Sequence, residues 1–116
     1  MRAALLAAVT MANPELEEML VRAYSAIGAM ADLSDAYGAI RGESSDARRL
    51  VTARTDGSGA LVGMEIDGAA MRLAPRELGD LITATAMIAA QRAYAQRAAL
   101  TDEFNRDFAE LAGHNE

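Results

Sequence analysis

Carboxylates are the most numerous side chains that could do chemistry, with 17 Asp and Glu residues in a chain of 116. Adjacent pairs such as Glu17 and Glu18 lie in predicted helices, at positions where acids are normally solvated. No acid is spaced from a His, a Lys or a second acid in a way that indicates a shared proton. Ser58 lies in a predicted turn without a general base beside it. The sequence therefore predicts neither an enzyme nor a cofactor site.

Metal ligation has few candidates. The only His is His114, and there is no Cys. A single His excludes a two-His site within one chain, and the lack of Cys excludes thiolate ligands and disulfides. Four acids are near enough in sequence to gather a divalent ion, but they do not match a calcium loop, so we interpret them as solvated. These acids are Asp32, Asp35, Glu43 and Asp46.

Arginine is the remaining candidate for binding chemistry. All 11 basic residues are Arg, and the net charge is −6. Residues 1–46 and 77–116 each carry net −4, whereas residues 47–76 carry net +2. An acidic chain is a poor candidate for binding nucleic acid, although guanidinium groups suit bidentate phosphate contact. Two interpretations stay open: phosphate contacts, or surface pairing with neighbouring acids. The candidate DNA contacts are Arg48, Arg49, Arg54, Arg92 and Arg97.

The first element that must position these residues is a long helix. Asn13 can cap it, Pro14 suits its first position, and Glu15 is favoured at the positive end of the helix dipole. We predict a helix from about 14 to about 37, with Gly38 as its stop. One face repeats small or apolar residues at alternating steps of four and three, as in a coiled-coil seam. This seam comprises Leu16, Leu20, Ala23, Ile27, Met30, Ser34 and Tyr37.

A small sheet is predicted after this helix. Residues 39–43 are consistent with a short strand, 43–46 with a turn and 50–55 with a β-branched strand. The sequence Asp56-Gly57-Ser58-Gly59 predicts a tight hairpin turn, because its glycines allow positive φ angles. Residues 60–67 alternate as a half-buried antiparallel strand does. The residues on one face of that strand are Val62, Met64 and Ile66.

A second, Ala-rich helix is predicted from Pro75 to about Leu111. The fold class is therefore α+β, in the order α-β-β-β-α. We expect one domain over 1–116, with 1–12 as an N-terminal extension (Met11 being an alternative start) and 113–116 as a frayed tail. The longest acid-free stretch, 81–101, contains arginines and does not predict a membrane span.

The composition predicts a thin core for one chain. Ala supplies 27 of the 60 hydrophobic residues, which leaves 33 larger ones. A short chain with few bulky side chains, and a first helix longer than its own core requires, indicates that a second copy completes the fold. The candidate homodimer-interface residues are Leu16, Leu20, Ile27, Met30, Val62, Met64 and Ile66.

Three segments carry distinctive local strings. Residues 51–59 read VTARTDGSG, residues 61–67 read LVGMEID, and within 73–92 LAPREL leads into an Ala-rich helix. Together they resemble the YbaB/EbfC family of bacterial nucleoid-associated proteins, over residues 13–105 of this chain. The resemblance implies a helix–strand–strand–strand–helix protomer in an intertwined, tweezers-like homodimer. It also implies binding to double-stranded DNA with weak sequence preference, in the cytoplasmic nucleoid.

The acidic first helix departs from this family pattern. DNA-binding members carry Lys and Arg on their helical arms, whereas the first helix here has only Arg22 inside it. In this the chain looks more like actinobacterial relatives, some of which accompany type VII (ESX) secretion systems. The resemblance therefore implies DNA binding through the phosphate backbone or, as the alternative, an accessory factor that binds protein partners of such a system without DNA.

Overall fold

The computed structural model of the chain describes residues 13–111. Over these residues the order of elements confirms the predicted α+β class, with two helices flanking three antiparallel strands. The predicted extension at 1–12 and tail at 113–116 lie outside the described residues. The elements are α1 (Pro14–Ala39), β1 (Gly42–Ser45), β2 (Val51–Thr55), β3 (Leu61–Ile66), a 3-10 helix (Gly68–Arg72) and α2 (Pro75–Leu111).

Helix α1 begins where the sequence predicts and ends slightly later. Asn13 Oδ1 accepts hydrogen bonds at 3.1 and 3.2 Å from two N–H groups of the first turn. The predicted stop at Gly38 is wrong, because the helix continues to Ala39 and Gly38 has no positive φ. Arg41 Nη1 instead donates to the carbonyl oxygens of Gly38 and Ile40, at 3.0 and 2.7 Å. A cation thus satisfies the end of the helix in place of a glycine cap.

The sheet has the strand order β1-β2-β3. Strand β1 lies further along the chain than predicted, because Ser44 and Ser45 pair with Ala53 and Thr52 instead of forming a turn. Serine favours turns locally, but pairing with β2 satisfies the backbone of both residues and buries Ser44 beside Ala53. The position of β1 is therefore set by its pairing with β2.

The β2–β3 turn has the tight geometry that the sequence predicts. Asp56 Oδ1 accepts hydrogen bonds from the N–H and the hydroxyl of Ser58, at 2.9 and 2.6 Å. Gly59 has a φ of 85°, a conformation that suits glycine. The other glycine does not share it: Gly57 is buried, and a Cβ there would lie 3.1 Å from the carbonyl oxygen of Tyr37. Gly57 therefore allows the turn to approach the end of α1.

One face of the sheet packs against α2. Val51, Ala53 and Thr55 of β2 are buried, and they alternate with half-buried residues. Thr55 Oγ1 donates to the carbonyl oxygen of Ala89 at 3.4 Å. Gly42 lies so close to the helix that a Cβ there would be 1.9 Å from the same oxygen. Helix α2 therefore requires a residue without a side chain at the start of β1.

The core of the described chain is thin, as the composition predicts. Four of its six buried hydrophobic residues are Ala. Helix α2 supplies two of them, and small side chains of this kind allow close packing on the sheet. None of the helices within 13–111 combines the length and the apolar character that a membrane crossing demands. The buried hydrophobic residues are Ile40, Val51, Ala53, Ala70, Ala89 and Ala93.

The chain divides into two compact units. Residues 34–102 hold the three strands, and we call them the sheet unit. The other unit comprises 1–33 and 103–116, of which 13–33 and 103–111 are described, and we call it the terminal unit.

Candidate nucleic-acid interface

The β1–β2 turn carries the two adjacent arginines of the candidate set. Asp46 organises this turn, since its carboxylate accepts hydrogen bonds from the N–H of Val51 at 2.7 Å and of Arg48 at 3.0 Å. The N–H of Arg49 donates to the carbonyl oxygen of Asp46 at 2.9 Å. Backbone N–H groups that donate to the carboxylate, of which that of Val51 has the largest effect, hold the pKa of Asp46 below its ordinary value. A charged carboxylate therefore fixes the backbone of this turn.

Arg49 adopts a left-handed backbone, with a φ of 56°. Within residues 13–111 it is the only non-glycine residue at positive φ, and this conformation costs roughly 1 kcal/mol for a residue with a side chain. Arg48 and Arg49 are both exposed, and across the described chain neither guanidinium forms an ion pair. The turn therefore presents two neighbouring unpaired cations to solvent.

Arg54 lies on the face of the sheet that α2 does not cover, between the buried Ala53 and Thr55. Its Nη1 is 3.0 Å from Glu65 Oε1, across the β2–β3 pair. The guanidinium lies over Gly63, where a Cβ would be 3.2 Å from Nε. Its charge is offset by Glu65, as the surface-pairing interpretation predicts. Such partly exposed ion pairs stabilise a protein by about 1 kcal/mol or less, so another anion can easily replace Glu65 as the partner of Arg54.

Arg92 and Gln96 project from α2 onto the backbone around β1. Arg92 Nη1 donates to the carbonyl oxygen of Glu43 at 2.8 Å, and Gln96 Nε2 donates to that of Arg41 at 2.9 Å. Gln96 and Arg41 were not among the residues predicted to have a structural role. Arg41 lies four residues after the predicted end of the helix and two after the observed end, and a cation near a helix C-terminus is a recognised signal. Gln96 had no such signal, because its partner is distant in sequence.

Arg97 stacks on Tyr37. Its guanidinium carbon lies 4.6 Å from the centroid of the Tyr37 ring, a cation–π arrangement, and the Tyr37 hydroxyl bonds to Thr101. The five candidate arginines thus fall into three settings: the β1–β2 turn, the open sheet face and α2. Of these five arginines, only the two in the turn are without an ion pair, a hydrogen bond or an aromatic partner for their side chains within 13–111.

Strand β3 forms an apolar edge of the sheet. Within the described residues it pairs on one side with β2, and no strand lies on its other side. Met64 and Ile66 are opposite Ala53 and Val51, so they share the face that packs on α2. Ile66 is nevertheless 42% exposed and Val62 is 55% exposed. An exposed apolar edge strand is a template for pairing with another chain.

The predicted α1 seam is only partly covered. Leu16 and Leu20 are half-buried, whereas Ile27 and Met30 are 61% and 56% exposed. Met19, beside the seam, is 64% exposed. A large apolar surface of α1 therefore has no covering residues in the described chain.

The two units differ in charge. The described part of the terminal unit carries seven acids and two arginines, hence net −5. The sheet unit carries nine acids and eight arginines, hence net −1. Three of the nine acids, Asp46, Asp56 and Asp67, accept hydrogen bonds from backbone N–H groups at turns or at the 3-10 helix. The sheet unit is therefore the less acidic of the two, and it contains all five candidate arginines.

Comparison with known families gives one match. The chain matches the YbaB/EbfC DNA-binding family over residues 11–108. Comparisons with curated proteins and with solved structures give no significant match.

Proposed function

The chain belongs to the YbaB/EbfC DNA-binding family, a family of nucleoid-associated proteins, and on that premise we propose that it is a cytoplasmic homodimer that contacts the phosphate backbone of DNA with weak sequence preference. The observation that carries the phosphate contact is the β1–β2 turn with its two unpaired, exposed arginines. The family is one of DNA-binding proteins and not of enzymes.

The turn is suited to an anionic ligand. Arg48 and Arg49 are adjacent, and Asp46 fixes the backbone from which both side chains extend. A guanidinium can donate two parallel hydrogen bonds to one phosphate. The arginines in α2 and at Arg54 supply additional positive charge to the same unit, although their present contacts would have to be shared or exchanged. We rank the turn arginines first for this reason.

Weak sequence preference follows from the kind of contact. Arginine on a phosphate fixes position and carries no base information, and sequence is read by side chains that reach the base edges. The two unpaired arginines of the candidate set lie on a short turn, which is a small surface for base recognition. Any preference would come from the shape of the duplex.

Dimerisation is proposed through the open edge of β3. Antiparallel pairing of β3 with β3 of a second copy would satisfy backbone groups along Leu61–Ile66 and cover Val62 and Ile66. It would also double the number of turn arginines presented to one duplex. Leu16, Leu20, Ile27 and Met30 remain predicted interface residues on α1.

The DNA contact is tested by fluorescence anisotropy with a labelled duplex across a salt series. We expect the parent chain to bind at low salt, with an affinity that falls steeply as the salt concentration rises. The double variant Arg48→Gln with Arg49→Gln should lower the slope of log affinity against log salt by about 0.9 for each phosphate that is no longer neutralised. The matched control is Arg72→Gln with Arg76→Gln, two exposed arginines elsewhere in the sheet unit. An unchanged isotherm for the turn variant would clear these arginines. The absence of binding by the parent chain at low salt would remove the DNA proposal.

The dimer is tested by light scattering. We expect a mass twice the 12.2 kDa of one chain, and Val62→Lys with Ile66→Lys should shift it to the monomer, because charges on an edge strand oppose pairing. Met71→Lys is the matched control, since Met71 is 66% exposed and lies outside β3. A parent mass of 12.2 kDa would contradict the dimer, and an unchanged dimer in the β3 variant would place the interface elsewhere.

The alternative function is that of an accessory factor that binds proteins, for example of a type VII (ESX) secretion system. The net −5 of the described terminal unit favours it, since this charge repels phosphates. It is distinguished by the same titration: a parent chain that dimerises and does not bind DNA at low salt fits the accessory role.

A further inference from the structure

Residues 19–30 of α1 expose a group of apolar side chains. Met19, Ala23, Ile27 and Met30 recur at steps of four, four and three, which places them on one face of the helix. The three large members are 64%, 61% and 56% exposed, and Tyr24 beside them is 58% exposed. We call these five residues the α1 stripe. Monomeric proteins rarely leave large apolar side chains grouped in this way unless a partner covers them.

Negative charge accompanies the stripe. Glu15 precedes Met19 by one helical turn, and Glu17 and Glu18 lie in the first turns of the same helix. All seven acids of the described terminal unit are exposed, and none of them forms an ion pair within residues 13–111. The helix that carries the stripe therefore also carries exposed, unpaired acids, one of them on the face of the stripe.

This charge decides between possible occupants. A second copy that paired α1 with α1 would bring two units of net −5 together, and like charges oppose such pairing. A nucleic acid is repelled for the same reason. A helix with apolar residues on one face and Lys or Arg on the other complements both features at once. Methionine also adapts its shape to different apolar partners, and two of the five stripe residues are Met.

We propose that the α1 stripe is a docking surface for a basic amphipathic helix of a protein partner. The apolar face of that helix covers Met19, Ile27 and Met30, and its cations face the acids of the terminal unit. The stripe lies in the terminal unit, whereas Arg48 and Arg49 of the proposed DNA contact belong to the sheet unit.

The test uses a labelled peptide of sequence LKKLLKLLKKLLKL, whose Leu residues recur with the helical period, and a shuffled peptide of the same composition without an apolar face. We expect the full chain to bind the first peptide at micromolar concentration and the second at least about tenfold more weakly. Equal binding of the two peptides, or no binding of the first at about 100 µM, would overturn the proposal.

Variants locate the site. Ile27→Gln with Met30→Gln should weaken binding of the amphipathic peptide about tenfold, because both side chains are proposed anchors. Met87→Gln is the matched control, as Met87 is 59% exposed and lies in the sheet unit. Glu15→Gln with Glu17→Gln should reduce the salt dependence of binding. Circular dichroism checks that each variant keeps its helix content.

Two results would count against the surface. Unchanged peptide affinity in the Ile27/Met30 variant would exclude the stripe as the site. Conversion of a dimer to a monomer by the same variant would show that a second copy covers the stripe. The outcome of the DNA titration does not enter either measurement, so failure of the DNA proposal and failure of this one are distinguishable.

Discussion

The two edges of the sheet differ in how their backbones are covered. Side chains of α2 reach β1, where Arg92 binds the carbonyl oxygen of Glu43 and Gln96 binds that of Arg41. Strand β3 has no such cover among the described residues, and Val62 and Ile66 are exposed along it. We call β1 the covered edge and β3 the open edge.

This difference limits how copies of the chain can associate. A sheet with two open edges can add chains on both sides and grow without end. A sheet with one open edge can pair once, edge to edge around a two-fold axis, and then stop. If copies pair through β3 as proposed, Arg92 and Gln96 would favour this mode of pairing by covering β1, a role other than the phosphate contact that the sequence suggested for Arg92.

The largest expected effect is the difference in stability between two Gly-to-Ala variants, one on each edge, which each add a single methyl group. Gly42→Ala on the covered edge places a Cβ 1.9 Å from the carbonyl oxygen of Ala89, so α2 must move, and we expect about 3 kcal/mol of destabilisation. Gly63→Ala on the open edge meets only the flexible end of Arg54, at 3.2 Å, and should stay within about 1 kcal/mol of the parent. Urea unfolding measures both. Equal destabilisation by the two variants would contradict the tight packing of α2 on β1.

A smaller effect is expected from uncovering β1. Arg92→Ala and Gln96→Ala each remove one hydrogen bond to a backbone carbonyl. Each variant should therefore lower the free energy of unfolding by about 1 kcal/mol. The double variant should also form species larger than the parent assembly in sedimentation, because a second edge becomes available. Gln91→Ala is the control, since Gln91 is exposed and bonds to no strand within 13–111. If the double variant sediments as the parent does, Arg92 and Gln96 are not what prevents association through β1.

The smallest effect concerns the two hairpin turns at low pH. Backbone N–H groups, with that of Val51 first, lower the pKa of Asp46, and the hydroxyl and N–H of Ser58 lower the pKa of Asp56. A carboxylate whose pKa is lower in the folded than in the unfolded state stabilises the fold at pH values above its unfolded pKa, about 3.9. That stabilisation is lost as the pH falls through the folded pKa. We therefore expect the free energy of unfolding to fall below about pH 4.

Substitutions apportion this pH dependence between the turns. Asp46→Asn and Asp56→Asn should each flatten the profile, and Asp56→Asn should do so more, because Asp56 accepts three hydrogen bonds and Asp46 accepts two. Unfolding in urea at a series of pH values gives the profiles. A profile that keeps the parent slope in both variants would assign the acid sensitivity to other carboxylates.

Local signals in the sequence predicted most elements of this fold. Asn13 and Pro14 marked the start of α1, and Asp56 with Gly59 marked the β2–β3 turn, because caps and tight turns depend on residues close together in the chain. The start of β1 was misplaced, since Ser44 is drawn into the strand by its pairing with Ala53. The 3-10 helix was not predicted, although Asp67 at its N-terminus was a local signal for it. In the structure the Asp67 carboxylate accepts a hydrogen bond from the N–H of Ala69.

The candidate site was predicted only in part. The sequence identified the arginines but could not rank them, because ranking depends on what each side chain contacts. Glu65 offsets Arg54, Tyr37 stacks on Arg97, and the backbone of β1 engages Arg92. Arg48 and Arg49 are distinguished by having no such partner within the described chain.

The sequence by itself determined the order of elements, the excess of small residues in the core and the uneven distribution of charge. These depend on composition and on neighbours in the chain. Among residues 13–111, the tertiary structure decided which edge of the sheet is open and which candidate arginines have no partner, and it left the α1 stripe uncovered. The physical reason is that each of these depends on contacts between residues far apart in sequence, such as the 49 positions that separate Arg92 from Glu43.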